Sequence, residues 1–193
     1  MFNTRTAIAA VTAGLFAATL AAAPASAETD APFTGPWVAA IGGWDRLQAD
    51  HHKKDGFVYG GDAGYDFAAG KLRFGPQVEV TGSTEKGCGT DLGTTTCDKA
   101  GRDFFVGGRV GIVAAPKALV YLTAGYTNAR YTGSISQGAA RIANDDDHSG
   151  ARIGAGIEYA VTKAVFVKSE YRYSNYSDGL ARNQVIGGIG VRF

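Results

Sequence analysis

In the stretch Val-Phe-Val-Lys-Ser-Glu-Tyr-Arg-Tyr, residues 165–173, charged residues recur at every second position from Lys168 to Arg172. Lys168, Glu170 and Arg172 lie on one side of the alternation, and valines and tyrosines occupy the other. Successive side chains of a β-strand point to opposite faces of its sheet. The stretch therefore predicts a strand with an apolar environment on one face and a polar environment on the other.

The same period of two recurs along the rest of the chain. Glycine, which is costly in helix interiors, occurs 28 times and argues against helix. Eight strands are predicted, with approximate bounds Trp37–Arg46, Phe57–Phe67, Lys71–Ser83, Arg102–Val113, Leu119–Tyr131, Ser149–Val161, Val165–Tyr176 and Asn183–Phe193.

The predicted connections alternate between short and long. Short ones fall at 68–70, 114–118 and 162–164, and longer ones at 47–56, 84–101, 132–148 and 177–182. Tight periplasmic turns and longer external loops are typical of an outer-membrane barrel. We predict an all-β fold, an eight-stranded antiparallel up-and-down transmembrane β-barrel, with both chain ends on the periplasmic side.

The polar face of these strands combines glycine with charges of both signs. A secreted lipocalin-like barrel would also alternate, but a solvent-facing surface gains little from glycine. The interior of an eight-stranded barrel is narrow, so small residues and paired charges suit it. We therefore predict a lumen filled by ion pairs, because unpaired buried charges are costly. The predicted lumen charges are Asp62, Asp66, Arg73, Glu79, Asp103, Arg109, Arg152, Glu158, Lys168, Glu170, Arg172 and Arg192.

The apolar face carries aromatic residues near the strand ends, as the interfacial girdles of a membrane barrel do. The predicted girdle at the short turns is Trp37, Tyr65, Phe67, Phe74, Tyr159 and Phe193. The predicted girdle at the long loops is Tyr59, Phe104, Tyr126, Tyr171 and Tyr173.

The first residues have the order of a secretory signal peptide. Arg5 precedes an alanine-rich apolar run, and Ala25-Ser26-Ala27 offers a small-residue cleavage site. The run is rich in alanine and falls short of the roughly 20 strongly apolar residues that a transmembrane helix needs. We predict a signal peptide at 1–27 and one barrel domain at 28–193. Without Arg5 the acidic and basic residues are equal in number, so no basic field predicts nucleic acid as a partner.

Cys88 and Cys97 lie in a glycine- and threonine-rich stretch. An exported chain meets an oxidising compartment, so the pair predicts a local disulfide. A metal site is the alternative, but two thiols without a neighbouring histidine fall short of four zinc ligands.

Three segments carry a resemblance to a known family: 154–159 (GAGIEY), 169–173 (SEYRY) and 187–193 (GGIGVRF). The mature chain resembles the outer-membrane β-barrel superfamily of OmpA-, OmpX- and opacity-type small barrels, often called porin-family proteins. The resemblance implies a protein of the cell outer membrane in contact with its lipid and lipopolysaccharide. It also implies a C-terminal signal for the barrel assembly machinery at Gly188, Val191 and Phe193, with Ile186 where a polar residue is usual. A monomer is expected.

The leading functional prediction is non-catalytic: a barrel that anchors exposed loops and contributes to envelope integrity or surface interaction. A narrow porin-like channel is the first alternative, although large diffusion pores need about 16 to 18 strands. No catalytic residue and no cofactor are assigned.

An outer-membrane lipid hydrolase or acyltransferase is a weaker alternative. The chain lacks a Gly-x-Ser-x-Gly motif, and its histidines are His51, His52 and His148, leaving only a rim pair of His148 with Ser149 or Ser83. The loop clusters 51–55 and 144–148 could bind a divalent metal, haem, phosphate groups or a host surface, or simply be solvated.

Overall fold

The computed structural model describes residues 32–49, 52–84, 86–91, 94–137, 140–177 and 180–193. The predicted signal peptide lies outside the described residues. Nine strands form within these ranges: β1 (Gly35–Ala49), β2 (His52–Ala69), β3 (Leu72–Ser83), β4 (Lys86–Asp91), β5 (Thr94–Ala115), β6 (Ala118–Gln137), β7 (Ala140–Ala160), β8 (Val165–Tyr176) and β9 (Ala181–Arg192). The described part of the chain contains no helix long and apolar enough to cross a membrane.

Eight of these strands close into a ring. β1 pairs with β2 on one side and with β9 on the other, and β3 pairs directly with β5. Every pairing is antiparallel, and neighbours along the chain are neighbours in the sheet. The additional strand β4 pairs only with the first residues of β5. The fold is the predicted closed, eight-stranded, up-and-down barrel.

The barrel has two unlike ends. At the short-turn end, β2 leads into β3 through Gly70 and Lys71, where Gly70 has a positive φ of 61° that glycine adopts without strain. The β5–β6 and β7–β8 connections lie at the same end. At the opposite, long-hairpin end, β5, β6 and β7 run for 22, 20 and 21 residues.

These strand lengths correct the predicted loops. Most of 47–56, 84–101 and 132–148 is strand, because the hairpin ladders continue past the apolar part of each wall. Backbone pairing continues there, but these segments of the sequence are mainly polar, so no apolar alternation predicts the strands. A spanning strand needs only about 9 to 11 residues, so the hairpins extend well beyond a bilayer.

The outer face of the barrel is apolar and exposed. Aromatic residues form one belt near each end, as predicted for all but one member of the two girdles. The exposed members are Tyr65, Phe67, Phe74, Tyr159 and Phe193 at the short-turn end, and Tyr59, Phe104, Tyr126, Tyr171 and Tyr173 at the long-hairpin end. On β2, Tyr59 and Phe67 are eight residues apart, which for a tilted strand gives an apolar band of roughly 20 Å, close to the roughly 25 Å height of a barrel's apolar zone.

Trp37 is the exception, because its side chain points into the barrel and is 1 % exposed. The prediction that it faces outward was wrong. On β1 the inward positions include Trp37, Ala39 and Ile41, while the outward positions include Val38 and Trp44. Both faces are apolar over most of this strand, so its composition could not indicate which face was inside.

Candidate functional site: the charged interior of the barrel

The described interior contains two small apolar clusters. Trp37, Ala39 and Phe166 form one, and Ile41, Val58 and Ile186 form another. Ile186, the residue that departs from the family's terminal pattern, thus packs inside the barrel. Apart from single apolar residues such as Phe105, Leu119 and Ala129, the rest of the described interior is polar. All twelve predicted lumen charges point into it; eleven are buried and Arg192 is half-buried.

The lower cluster consists of Asp66, Arg109, Glu158 and Arg192, at the short-turn end. Arg109 donates through Nε to Asp66 at 2.8 Å and through Nη2 to Glu158 at 3.0 Å. Arg192 donates to the same two carboxylates, at 2.8 Å each. Two arginines and two acids therefore form a closed ring of alternating charge, and the four residues come from four different strands.

The indole of Trp37 lies against this ring. The guanidinium carbon of Arg109 is 4.4 Å from the indole centroid, and the ammonium of Lys168 is 5.4 Å from it. Cations over an aromatic face are stabilised by the ring quadrupole, more so when desolvated. This contact gives Trp37 a role inside the barrel that an apolar residue without a π face would not fill.

A pair and a hydrogen bond occupy the middle of the interior. Lys168 forms an ion pair with Asp62, which also accepts a hydrogen bond from Gln77 at 3.2 Å. Tyr121 donates its hydroxyl proton to Glu170 at 3.0 Å.

The upper cluster contains Asp45, Glu79, Asp103, Arg152, Arg172 and Arg182, toward the long-hairpin end. Arg152 joins Glu79 at 3.0 Å and Asp103 at 2.5 Å, and Asp103 also accepts from Arg182 at 3.0 Å. Arg172 extends the chain from Glu79, and Asp45 extends it from Arg182. The cluster is a continuous zigzag of three cations and three anions across the barrel.

Neutral side chains form further hydrogen bonds with this cluster, although Arg172 Nη2 has no partner among the described residues. Asp103 accepts from Thr127 at 2.7 Å and from Tyr176 at 2.8 Å. Arg172 donates to Gln184 at 2.7 Å. Such bonds matter because buried charges repay their desolvation only when the geometry is good and the remaining protons and lone pairs are also bonded.

Arg73 differs from the other predicted charges. Its guanidinium donates to the backbone carbonyl oxygens of Pro32, Gly70 and Leu72, at 2.9, 2.8 and 2.8 Å. It thus binds the first described residues and a turn rather than a carboxylate.

Asp45 and Arg182 are interior charges that the sequence analysis missed. Arg182 fell in a predicted loop, whereas β9 begins one residue before it. Asp45 shares its face with Trp37, for which the sequence predicts the outer side. With both residues included, the described interior holds seven acids and seven bases: Asp45, Asp62, Asp66, Glu79, Asp103, Glu158 and Glu170 against Arg73, Arg109, Arg152, Lys168, Arg172, Arg182 and Arg192.

Two further predicted sites have defined backbone positions. Cys88 and Cys97 are direct partners across the β4–β5 hairpin. Opposed residues of an antiparallel pair have Cα atoms about 4.5 to 5.5 Å apart, within the range that a disulfide spans. Gly188, Val191 and Phe193 lie at the end of the chain, with Val191 and Phe193 exposed on the outer face.

The structure separates the residues of the suggested rim pairs. His148 is paired with Ala129, which faces inward, so His148 lies on the inner face. Ser149 is exposed on the outer face, where its Oγ lies 2.6 Å from the hydroxyl of Tyr126. Consecutive strand residues point to opposite faces, so His148 and Ser149 do not form a dyad. Ser83 points inward and donates to Asp45 at 3.0 Å.

Two exposed ion pairs lie outside the apolar band. Arg46 bonds Asp55, and Arg130 bonds Asp147 through both Nε and Nη2 at 3.0 Å. Hydrogen bonds from the guanidinium groups hold the pKa of Asp55 and of Asp147 below the ordinary value. In the described residues, no group of three or more His, Cys, Asp or Glu residues is placed to hold a metal ion.

A family model described as "Outer membrane protein beta-barrel domain" matches residues 13–193. The chain belongs to the outer-membrane β-barrel domain family. It is therefore an outer-membrane protein, and the short-turn end of the barrel is the periplasmic end. No curated protein matches the sequence.

Solved structures give the same fold at low sequence identity. Ail, the attachment invasion locus protein of Yersinia pestis, solved with the heparin analogue sucrose octasulfate, is 15% identical, with a TM-score of 0.57 over 83% of this chain and 99% of that one. Neisserial surface protein A is 18% identical, with a TM-score of 0.57 over 83% and 98%. The N-terminal barrel of Pseudomonas aeruginosa OprF is 19% identical, with a TM-score of 0.50 over 83% and 98%. These likenesses concern the fold alone.

Proposed function

We propose that this barrel is a non-conducting anchor, which holds the β4–β5 and β6–β7 hairpins on the cell surface and contributes to envelope integrity. The observation that carries the proposal is the upper cluster, whose six charges join β1, β3, β5, β7, β8 and β9 across the barrel. An eight-stranded barrel is just wide enough for its own side chains. Side chains bonded to one another across that width leave no open path for a solute.

Neutrality supports the same proposal. The described interior has equal numbers of acids and bases, so no net charge remains to attract ions of one sign into it. A selective pore, in contrast, presents a ring of like charges or a row of aligned dipoles to the ion. This role requires three partners: lipopolysaccharide, the barrel assembly machinery and a surface ligand of the hairpins.

A narrow water-lined channel is the second candidate, and a specific observation favours it. Several buried polar atoms of the described interior have no protein hydrogen-bond partner, among them Trp37 Nε1, Thr81 Oγ1 and Gln184 Nε2. Such groups are normally bonded to water. A connected file of water would conduct small ions weakly.

Planar-bilayer recording of the refolded protein separates these two functions. We expect no stable single-channel steps from the wild type. The double variant Glu79→Ala, Arg152→Ala removes the centre of the upper cluster and should produce steps, if heat-modifiable gel migration shows that it has folded. The control Arg46→Ala, Asp55→Ala removes an exposed pair and should stay silent. Stable steps from the wild type would establish the channel and reject the non-conducting anchor.

A further inference from the structure

The periplasmic turns share a sequence pattern. In each of the three described turns at this end, a residue that favours a turn is followed at once by a lysine. The pairs are Gly70-Lys71 between β2 and β3, Pro116-Lys117 between β5 and β6, and Thr162-Lys163 between β7 and β8. All three lysines are exposed. Every described turn at the periplasmic end therefore presents one positive charge.

Other residues shape these turns. Gly70 supplies the positive φ of the first turn, and the fixed φ of Pro116 suits the second. In the third turn, Thr162 Oγ1 accepts hydrogen bonds from the backbone N–H groups of Ala164 and Val165, at 3.2 and 2.9 Å. Turn geometry therefore does not account for the lysines.

Backbone hydrogen bonds hold the turns at fixed positions around the rim of the barrel. Val113 of β5 donates its N–H to the carbonyl oxygen of Lys71, and Ala160 of β7 donates to that of Lys117, at 2.9 Å each. The third turn is bonded to β9 in the same way, at 2.7 Å. Successive turns are two strands apart in the ring, which is roughly 10 Å measured across the strands. We call this preorganised set the lysine rim: Lys71, Lys117 and Lys163.

The mouth of the barrel inside the lysine rim is covered. Phe33 is buried, although it lies outside the strands. Pro32 precedes β1, yet its carbonyl oxygen accepts a hydrogen bond from Arg73 of β3, two strands away around the ring. Residues 32–34 thus extend over the mouth. The lysine rim therefore surrounds a closed surface and not the entrance of a pore.

The exposed charge at this end has one sign. Asp66 and Glu158 are buried and bonded to Arg109 and Arg192, and no described acidic side chain is exposed here. Arg73, whose partners are carbonyl oxygens, adds a further positive charge. The long-hairpin end differs, because its hairpin sequences mix both signs. A surface of one sign favours a partner of the opposite sign.

We propose that the lysine rim docks an anionic polymer of the periplasm, with the carboxylates of cell-wall peptides as its ligands. Carboxylates linked in one polymer gain from cations at fixed spacing, because after the first contact the others form at a high effective concentration. Separate lipid phosphates move independently and gain nothing from that spacing. The inference rests on the proposed contribution to envelope integrity and names its partner at the periplasmic end.

Co-sedimentation of the refolded protein with purified peptidoglycan sacculi tests this docking. The test variant neutralises the lysine rim: Lys71→Gln, Lys117→Gln, Lys163→Gln. The matched control removes the same charge from the hairpins at the other end: Lys53→Gln, Lys54→Gln, Lys99→Gln. Heat-modifiable gel migration shows whether each variant has folded. Sacculi whose carboxyl groups have been converted to amides are the uncharged probe.

We expect the rim variant to need about tenfold more sacculi for half-sedimentation, since three exposed ion contacts each contribute a factor of roughly two to three. Amidated sacculi should bind the wild type as weakly as unmodified sacculi bind the rim variant. The control should match the wild type.

Wild-type sedimentation of the rim variant, or an equal loss in the control, would overturn the docking surface. Full binding to amidated sacculi would overturn the carboxylate ligand. If phosphatidylglycerol added to the detergent micelles abolished wild-type binding, the rim would belong to lipid phosphates and the polymer would be rejected. Bilayer conductance tests the closed interior and not this surface, so failure of the docking and failure of the non-conducting anchor give different results.

Discussion

Arg152 inside the barrel and Arg130 on the protruding β6–β7 hairpin make the same kind of contact in opposite surroundings. Both donate two guanidinium bonds to carboxylates, Arg152 to Glu79 and Asp103, and Arg130 to Asp147. The side chains of the interior pairs are 2% exposed, whereas those of the hairpin pair are 35% and 45% exposed. Contact geometry alone does not distinguish them.

The surroundings decide what each pair contributes. Water and salt weaken an exposed pair, and ordering two long side chains offsets most of its gain. A buried pair has already lost its hydration, so removing one partner leaves the other charge buried without a counter-ion. The interior pairs therefore make each strand depend on its partners across the barrel, while the hairpin pairs can be lost with little consequence.

The largest expected effect comes from breaking the upper cluster. Arg152→Met leaves both Glu79 and Asp103 short of a cation, and we expect the free energy of unfolding to fall by about 3 to 5 kcal/mol. Urea unfolding in lipid vesicles measures the loss, with Arg130→Met as the matched control. Equal stability of the two variants would remove the distinction between interior and hairpin pairs.

The second test asks why the loss of one member of an interior ion pair destabilises the barrel: whether because the other charge stays buried without a partner. Asp62→Leu and Lys168→Met should each destabilise the barrel by about 3 kcal/mol, because each leaves its partner buried alone. The double variant removes both charges and should recover more than half of that loss. A double variant as unstable as the sum of the single ones would show independent contributions instead.

The third test concerns the hairpin that carries the cysteines. If Cys88 and Cys97 form the predicted bond, the thiols should react with an alkylating reagent only after reduction. The double variant Cys88→Ser, Cys97→Ser should make the β4–β5 hairpin more sensitive to protease. The free energy of unfolding of the barrel should stay unchanged, because the hairpin lies outside the apolar band. Thiols that react without reduction would exclude the bond.

The smallest effect is expected at the exposed pair of Arg46 and Asp55. The Arg46 guanidinium lowers the pKa of Asp55, so the pair's contribution is present above the ordinary aspartate pKa and is lost as the pH falls through the lowered one. Arg46→Gln should return the NMR titration of Asp55 to its ordinary range without moving that of Asp147. No change at Asp55 would contradict the pairing.

How far the sequence predicts the fold varies from strand to strand. On β8, Lys168, Glu170 and Arg172 recur on one face, so both the strand and its inward side can be read directly. On β1 the inward face begins with Trp37, Ala39 and Ile41, which resemble lipid-facing residues. A local pattern shows that two faces differ, but it assigns them only when one face is clearly polar.

The sequence by itself determined the strand period, the end with short turns and most of the charges that point inward, because these depend on alternation over a few residues. Only the tertiary structure decided which charges are partners. Asp45 and Arg182 are 137 residues apart, and Arg172 and Glu79 are 93 apart. Closing the barrel brings such residues together across its interior, and no spacing along the chain encodes that approach.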